Sequence, residues 1–236
     1  AAAAGTYPTP TVAEYIVVKG GPNTTLSATD SLTTAFTATP ERDQNNVLDL
    51  GKGRGNNLAF NPASGSTIEF WMKKSQFPNS RETIFDLWNQ VAAGTSDYGR
   101  LRIDIDSSSG FIITYRSGSD GGFANNAIGS ADAISKLTDN AWHHYALVFA
   151  SSSAAQYANL YVDGELDATV SPGTARLMNE VTGALVAYIG ALQTTTVTPS
   201  IGSTTTGDAK LSASLDEFRY WKVARSPEEV GRNWFT

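Results

Sequence analysis

The chain has 236 residues and a formal net charge of −6, from 17 lysine and arginine residues against 23 aspartate and glutamate residues. It has no cysteine, which excludes disulfides and thiolate metal sites. Its longest basic cluster is Lys73-Lys74, and its apolar runs are shorter than the roughly 20 residues of a membrane span, so we expect neither a nucleic-acid partner nor a transmembrane helix.

The first 46 residues differ in character from the rest. Ala1 to Pro10 contains four alanines and two prolines without an apolar period, which predicts an arm lying on another surface. Tyr15 to Lys19 is a β-branched run followed by Gly20-Gly21-Pro22, which predicts a strand and then a turn. Leu32 to Thr39 predicts a weaker strand. We therefore predict an N-terminal arm over residues 1–46 and one domain over residues 47–236.

Strands follow one another in the next part of the chain. Ser66 to Lys74 carries large side chains at both sets of alternating positions, which predicts a central strand covered on both faces. Thr83 to Trp88 predicts the next strand.

A hairpin is predicted over Arg100 to Tyr115. A five-residue loop from Asp106 to Gly110 sets Ile105 against Phe111, whereas a slip of one residue would set carboxylates against apolar side chains. The first register places Arg102 and Asp104 on the face opposite the isoleucines, with Asp106 at the edge of the loop.

The polar stretch Ser117 to Asn126 predicts a flexible loop with one aromatic residue, Phe123. A second hairpin is predicted at Asp163-Gly164, because a type I′ turn needs positive φ at both central residues. The flanking and later strands are predicted at Trp142 to Phe149, Asn159 to Val162, Glu165 to Val170 and Leu185 to Leu192.

The C-terminal part combines a strand, Leu215 to Trp221, with a short helix. Ser226 as N-cap, Pro227 at N1 and Glu229 at N3 form a capping box that marks the helix start. About ten to fourteen short strands and one terminal helix indicate an all-β, two-sheet antiparallel sandwich.

Five of these segments carry a family resemblance. In their order they resemble the concanavalin A-like lectin/glucanase superfamily, and more closely its laminin G-like, pentraxin-like jelly rolls. The resemblance implies a jelly roll whose ligand residues lie in variable loops, so it brings little functional detail. The segments are Ser66 to Met72, Trp142 to Phe149, Leu160 to Gly164, Tyr188 to Gly190, and Leu215 to Trp221 with Ala224 to Ser226.

Catalysis is not expected. The glucanase branch of the superfamily uses a Glu-x-Asp-x-x-Glu strand, and the nearest segment here, Glu165 to Val170, has valine at the place of the second glutamate. His143 and His144 are adjacent strand residues that point to opposite faces and cannot bind one ion together. The resemblance makes them packing residues beside Trp142, which we expect to lie in the core together with Trp221.

Two kinds of ligand site are weighed against simpler interpretations. Calcium takes oxygen ligands from loops, and many domains of this type bind it at a loop rim, but Asp97, Asp104 and Asp106 also fit solvent-facing positions. Aromatic side chains near loops stack on sugar rings, although most aromatic residues lie in a core. The residues considered for ligand binding are Trp88, Tyr98, Asp120, Phe123, Asn125 and Asn126.

We therefore expect a non-catalytic surface binding or adhesion module, extracellular or on a cell or virion surface, with glycans as the ligand class and surface proteins as a second partner class. The alternative is a structural surface protein of a phage or virus particle, a capsid decoration or fibre component whose arm, residues 1–46, anchors it to neighbouring subunits. Calcium is the one cofactor under consideration, and homo-oligomerisation is left open.

Overall fold

Eleven strands and two helices form the part of the chain that is described in the computed structural model, namely residues 16–22, 58, 64–77, 81–119, 121–151, 156–171, 178, 181, 184–193 and 209–235. In chain order they are β1 (Ile16–Pro22), β2 (Ser66–Lys73), β3 (Glu82–Trp88), β4 (Gly99–Asp106), β5 (Gly110–Ser117), β6 (Gly121–Ile128), α1 (Ala131–Lys136), β7 (Trp142–Ser151), β8 (Gln156–Val162), β9 (Glu165–Val170), β10 (Ala184–Ile189), β11 (Ser214–Trp221) and α2 (Pro227–Asn233).

The strands form two antiparallel sheets, which confirms the predicted sandwich. The six-stranded sheet has the order β1-β10-β3-β4-β5-β6, and the five-stranded sheet has the order β11-β2-β7-β8-β9. The first strand, β1, pairs with β10 of the same chain, with Ile16 opposite Ile189. No helix among the described residues is long and apolar enough to cross a membrane.

The core lies between the two inner faces. Ile68, Phe70 and Met72 project from β2 into it, while the alternate side chains of β2 lie on the outer face, as predicted for a central strand. Aromatic rings join the sheets: the Phe85 and Phe218 centroids lie 5.3 Å apart, and those of Phe111 and Tyr145 lie 5.2 Å apart. Burial of this apolar surface is the main stabilising contribution.

Local sequence rules are confirmed at three places. The β4–β5 register pairs Ile105 with Phe111, as predicted. Asp163 and Gly164 have φ values of 51° and 83°, the left-handed pair that a type I′ turn requires. At the start of α2, the Glu229 amide donates to Ser226 Oγ at 3.2 Å and the Ser226 amide donates to Glu229 Oε2 at 2.8 Å, which completes the capping box.

Three local predictions were wrong. Most of the loop predicted over Ser117 to Asn126 is strand β6, because Phe123 lies in the core against Tyr115 and Phe149, with centroid distances of 6.0 and 6.3 Å. The turn predicted at Gly20-Gly21-Pro22 is the end of β1, which continues through it with a shift of register. A second helix, α1, precedes β7, where the sequence predicted none.

The remaining N-terminal predictions lie outside the described residues. These are the arm over Ala1 to Pro10 and the weak strand over Leu32 to Thr39. The division between residues 46 and 47 stays a prediction.

Candidate ligand-binding site on the five-stranded sheet

The predicted site residues of the six-stranded sheet separate into two groups near opposite ends of β4. At the first end, the rings of Trp88 and Tyr98 are buried. The guanidinium of Arg100 lies 4.9 Å from the Trp88 ring centroid, and Arg116 lies 6.0 Å from that of Tyr98. Asp97 is exposed nearby and accepts a hydrogen bond from Ser96 Oγ at 3.0 Å. Neither aromatic ring presents a free face for stacking on a sugar.

At the other end of β4, the carboxylates predicted to bind calcium form ion pairs with arginine side chains. Asp104 is buried, with Oδ2 at 2.9 Å from Arg102 Nε and 3.6 Å from Arg81 Nη1. Burial raises the pKa of Asp104, while Arg102 acts in the opposite direction. Asp106 Oδ1 caps the hairpin loop by accepting from the Ser108 and Ser109 amides at 2.9 and 2.7 Å.

Asn125 joins the second group, because its Oδ1 accepts from Arg102 Nη2 at 2.7 Å and from Arg81 Nη1 at 3.2 Å. Asn126 is half-buried in β6, and Asp120 lies outside the described residues. Phe123, with 4% of its surface exposed, cannot stack on a sugar. Among the residues that the structure describes, no group of three histidine, aspartate or glutamate side chains is arranged to hold a metal ion.

His143 forms a contact that the sequence did not predict. Its Nε2 lies 2.8 Å from Asp139 Oδ2, and its Nδ1 lies 2.8 Å from Asp163 Oδ2. Burial alone lowers the pKa of His143, but the hydrogen bonds to the two carboxylates outweigh it, and the pKa is raised above its usual 6.5. The imidazole therefore joins the segment before β7 to the turn between β8 and β9.

His144 lies on the opposite face of the same strand, as predicted. Its ring is buried, with centroids 5.7 Å from Trp71 and 6.4 Å from Trp234. Burial lowers the pKa of His144 to about 4, so the ring is neutral near pH 7. His144 therefore packs beneath the C-terminal aromatic residues.

Those residues belong to an aromatic cover on the outer face of the five-stranded sheet. Helix α2 packs there through Val230 against Ala146, Val148 and Tyr161. Beyond the helix, Trp234 lies 5.8 Å from Trp71 between ring centroids. The end of the chain thus covers one part of this face and leaves another part open.

The open part carries Trp142. We expected Trp142 and Trp221 to be core residues, but 43% and 38% of their surfaces are exposed. Both lie at outer-face positions near strand ends: Trp142 is opposite Lys73 and Trp221 is opposite Thr67. Trp221 is nevertheless engaged, because its Nε1 donates to Glu69 Oε2 at 3.2 Å and the Arg225 guanidinium lies 4.6 Å from its ring centroid.

A polar cleft lies beside Trp142. Its volume is about 350 Å³, and Lys73 both lines it and faces Trp142 across the β2–β7 pair. Asn140, two residues before Trp142, forms another wall, and its amide donates to the Lys74 carbonyl at 2.9 Å. We call Trp142 together with this cleft the Trp142 site. The cleft is lined by Lys73, Lys74, Ser75, Asn140, Ser212, Ala213 and Ser214.

The floor of the cleft is fixed by Lys74. Its Nζ donates to Glu82 Oε2 at 2.6 Å and to the Ser212 carbonyl at 2.9 Å, and both charged side chains are buried. The Ser212 amide in turn donates to Glu82 Oε1 at 3.3 Å. The site therefore has one exposed aromatic ring and a wall of hydroxyl, amide and ammonium groups on a rigid base.

None of the residues predicted to bind ligand that the structure describes belongs to this site. The signal that could have found it is the position of Trp142 at the first residue of β7. The neighbouring strand β8 ends at Val162, opposite Tyr145, and therefore does not extend alongside Trp142. Sequence reasoning treated the aromatic residue as core because the rest of the strand is apolar on both faces.

Several solved structures resemble the chain weakly. A heptameric SAP-like pentraxin from Limulus polyphemus is 14% identical, with a TM-score of 0.44 over 74% of this chain and 71% of that one. The CBM40 of the Ruminococcus gnavus IT-sialidase, bound to α2,3-sialyllactose, is 13% identical, with a TM-score of 0.45 over 73% and 83%. Trypanosoma rangeli sialidase is 11% identical, with a TM-score of 0.41 over 72% of this chain but 22% of the sialidase.

At these values the three structures do not indicate what this chain binds. No curated protein matches the chain. A family model, in contrast, matches residues 53–231, about three quarters of the sequence, and its description is the concanavalin A-like lectin/glucanases superfamily. The chain belongs to the concanavalin A-like lectin/glucanases superfamily.

Proposed function

We propose that the chain is a non-catalytic glycan-binding module and that the Trp142 site holds the glycan. The observation that carries the proposal is the exposed Trp142 ring directly beside a polar cleft. One face of a pyranose ring presents C–H groups and packs on an indole, while its hydroxyl groups need hydrogen-bond partners. A sugar on Trp142 would find those partners in Asn140, Ser214 and Lys73.

Rigidity supports the same function. Lys73 lies on β2, the second strand of the sheet order, and Trp142 lies on its neighbour β7. The buried Lys74–Glu82 pair holds the cleft wall at Ser212. A site built on strands and fixed by buried contacts loses little conformational entropy when a ligand binds.

Absence of catalysis is part of the proposal. In the glucanase-like segment, Asp167 accepts from the Ser130 amide at 2.8 Å and from Ser130 Oγ at 2.5 Å, so it fixes the start of α1. Val170 stands where a second catalytic carboxylate would be needed. Glycan binding without bond cleavage is consistent with membership of the superfamily.

The alternative, a structural protein of a virus particle, depends on the N-terminal arm binding a neighbouring subunit. The described part of that arm, Ile16–Pro22, pairs with β10 of its own chain instead. We favour the binding module on this ground. As a glycan-binding module, the protein is proposed to act in the extracellular space or on a cell surface.

The test is a binding survey against immobilised oligosaccharides and polysaccharides, followed by titration calorimetry on the glycans retained. W142A should lower the affinity at least about tenfold, because the stacking face is lost. The matched control is W221A, which removes a similarly exposed tryptophan at the other end of the sheet and should leave the affinity unchanged. Equal loss in the two variants, or no glycan bound by the wild type, would overturn the proposal.

A further inference from the structure

The geometry points to an anionic saccharide, one that carries a carboxylate or a sulfate ester next to the ring stacked on Trp142, as the ligand of this site. The inference rests on the proposed function and adds the charge of the glycan to it. It is carried by Lys73, the one cationic side chain that both lines the cleft and faces Trp142.

Lys73 differs from three other cations of the described residues, Lys74, Lys136 and Arg219. Lys74 is neutralised by Glu82, and Arg219 Nη2 lies 2.5 Å from Glu217 Oε2. The Nζ atom of Lys136 lies 3.3 Å from Asp132 Oδ2 and 3.4 Å from Asp163 Oδ2. Lys73 is half-buried and forms no ion pair with any residue in the described ranges. A partly desolvated ammonium without a counterion favours an anionic ligand.

The two strand positions directly opposite Lys73 carry no carboxylate. Ser214 is opposite it on β11, and Trp142 is opposite it on β7. The nearest carboxylate position on the same face of β11 is Asp216, which is opposite Trp71, and Asp216 Oδ1 accepts from the Glu217 amide at 2.8 Å. Apart from Lys74, which is paired with Glu82, the remaining side chains that line the cleft are neutral.

The charge of the whole chain sharpens the inference. With a net charge of −6, the chain as a whole repels anionic polymers at long range, so binding of such a polymer cannot result from a general basic surface. A preference for an anionic glycan would therefore have to come from a local contact. Lys73 is placed to provide it.

The test compares sugars that have the same rings and differ in whether they carry an anionic group. Oligogalacturonate and its methyl ester share the same rings, and a sulfated and an unsulfated dextran oligosaccharide make a second pair that distinguishes the two anionic groups. The wild type should bind the charged member of one pair about tenfold more tightly than the neutral member. K73M should abolish that preference while K73R keeps it.

The outcomes separate this inference from the proposed function. If the survey retains neutral glycans alone, or if K73M leaves a charge preference intact, the anionic-ligand inference is overturned while Trp142-dependent binding still stands. If no glycan is retained, both fail. Far-ultraviolet circular dichroism and melting curves of K73M and K73R check that both variants are folded. If K73M is unfolded, the charge preference of K73R still tests the inference.

Discussion

The Nζ atom of Lys74 lies 2.6 Å from Oε2 of Glu82, and neither side chain is exposed to solvent. Lys74 directly follows β2 of the five-stranded sheet, and Glu82 begins β3 of the six-stranded sheet. The pair therefore joins the two sheets at one end of the sandwich. Through Ser212 it also sets the position of the cleft wall.

Removing one member of this pair should destabilise the fold strongly. K74M leaves the Glu82 carboxylate buried without its counterion, and we expect the free energy of unfolding to fall by about 3–5 kcal/mol. The double variant K74M/E82M replaces both charges by apolar groups and should recover most of that loss. Urea denaturation measures both values, and equal stability of the single and the double variant would contradict the ion-pair assignment.

The exposure of Trp142 predicts a small effect of its removal on stability. W142A should lower the free energy of unfolding by about 1 kcal/mol or less, because the side chain contributes little to the core. F70A, which empties a fully buried position of β2, should cost about 3–5 kcal/mol and serves as the reference. Comparable losses for the two variants would show that Trp142 is a core residue after all.

The contacts of His143 predict a dependence of stability on pH. Its pKa is raised in the folded state, so its contribution is fully present below its unfolded pKa of about 6.5 and is lost as the pH rises through the folded pKa. The pKa of Asp139 is lowered: burial opposes this, but hydrogen bonds from the Ala141 amide and His143 outweigh it. The Asp139 contribution is therefore present above a pH of about 3.9 and is lost as the pH falls through its lowered pKa.

The measurement is the difference in unfolding free energy between the wild type and H143Q across this range. We expect a difference on the order of 1 kcal/mol near pH 6 that shrinks toward pH 9. H143Q keeps a polar side chain of similar size, so the difference reports mainly the charge. A difference that grew with pH would show that His143 is neutral in the fold.

Gly164 is expected to tolerate no side chain. Its φ of 83° strains any other residue, and a Cβ there would overlap the indole of Trp234. Gly94 has a similar φ of 89° but no neighbouring atom within 4 Å of such a Cβ. G94A should therefore show the cost of backbone strain alone, about 1 kcal/mol, and G164A should cost more, as measured by thermal unfolding.

The features that could be predicted from the sequence are those that depend on residues close together in the chain. The Asp163-Gly164 turn, the β4–β5 register and the Ser226 capping box each depend on residues a few positions apart, and all three are present in the structure. The prediction that Phe123 lies in a loop was wrong. Its neighbours in sequence are polar, but its burial depends on contacts with Tyr115 and Phe149. Local composition does not report such contacts.

The candidate site depends on contacts between residues that are still farther apart in the sequence. Trp71 is covered by Trp234 from the far end of the chain, whereas Trp142, on the same face, is left open. Nothing in the alternation of β2 or β7 distinguishes the two positions, because a strand pattern gives the face and not what lies over it. The contact of His143 with Asp163 was missed for the same reason, since Asp163 reaches it from another hairpin.

The pairing of β1 with β10 has a practical consequence for expression of this domain. The family match begins at residue 53, but the six-stranded sheet takes its outermost strand from Ile16–Pro22, more than thirty residues earlier. A fragment cut at the start of the match would leave the amide and carbonyl groups along one side of β10 unpaired. Such an edge is a template for intermolecular strand pairing, so we expect the shorter fragment to aggregate where the longer chain stays monodisperse.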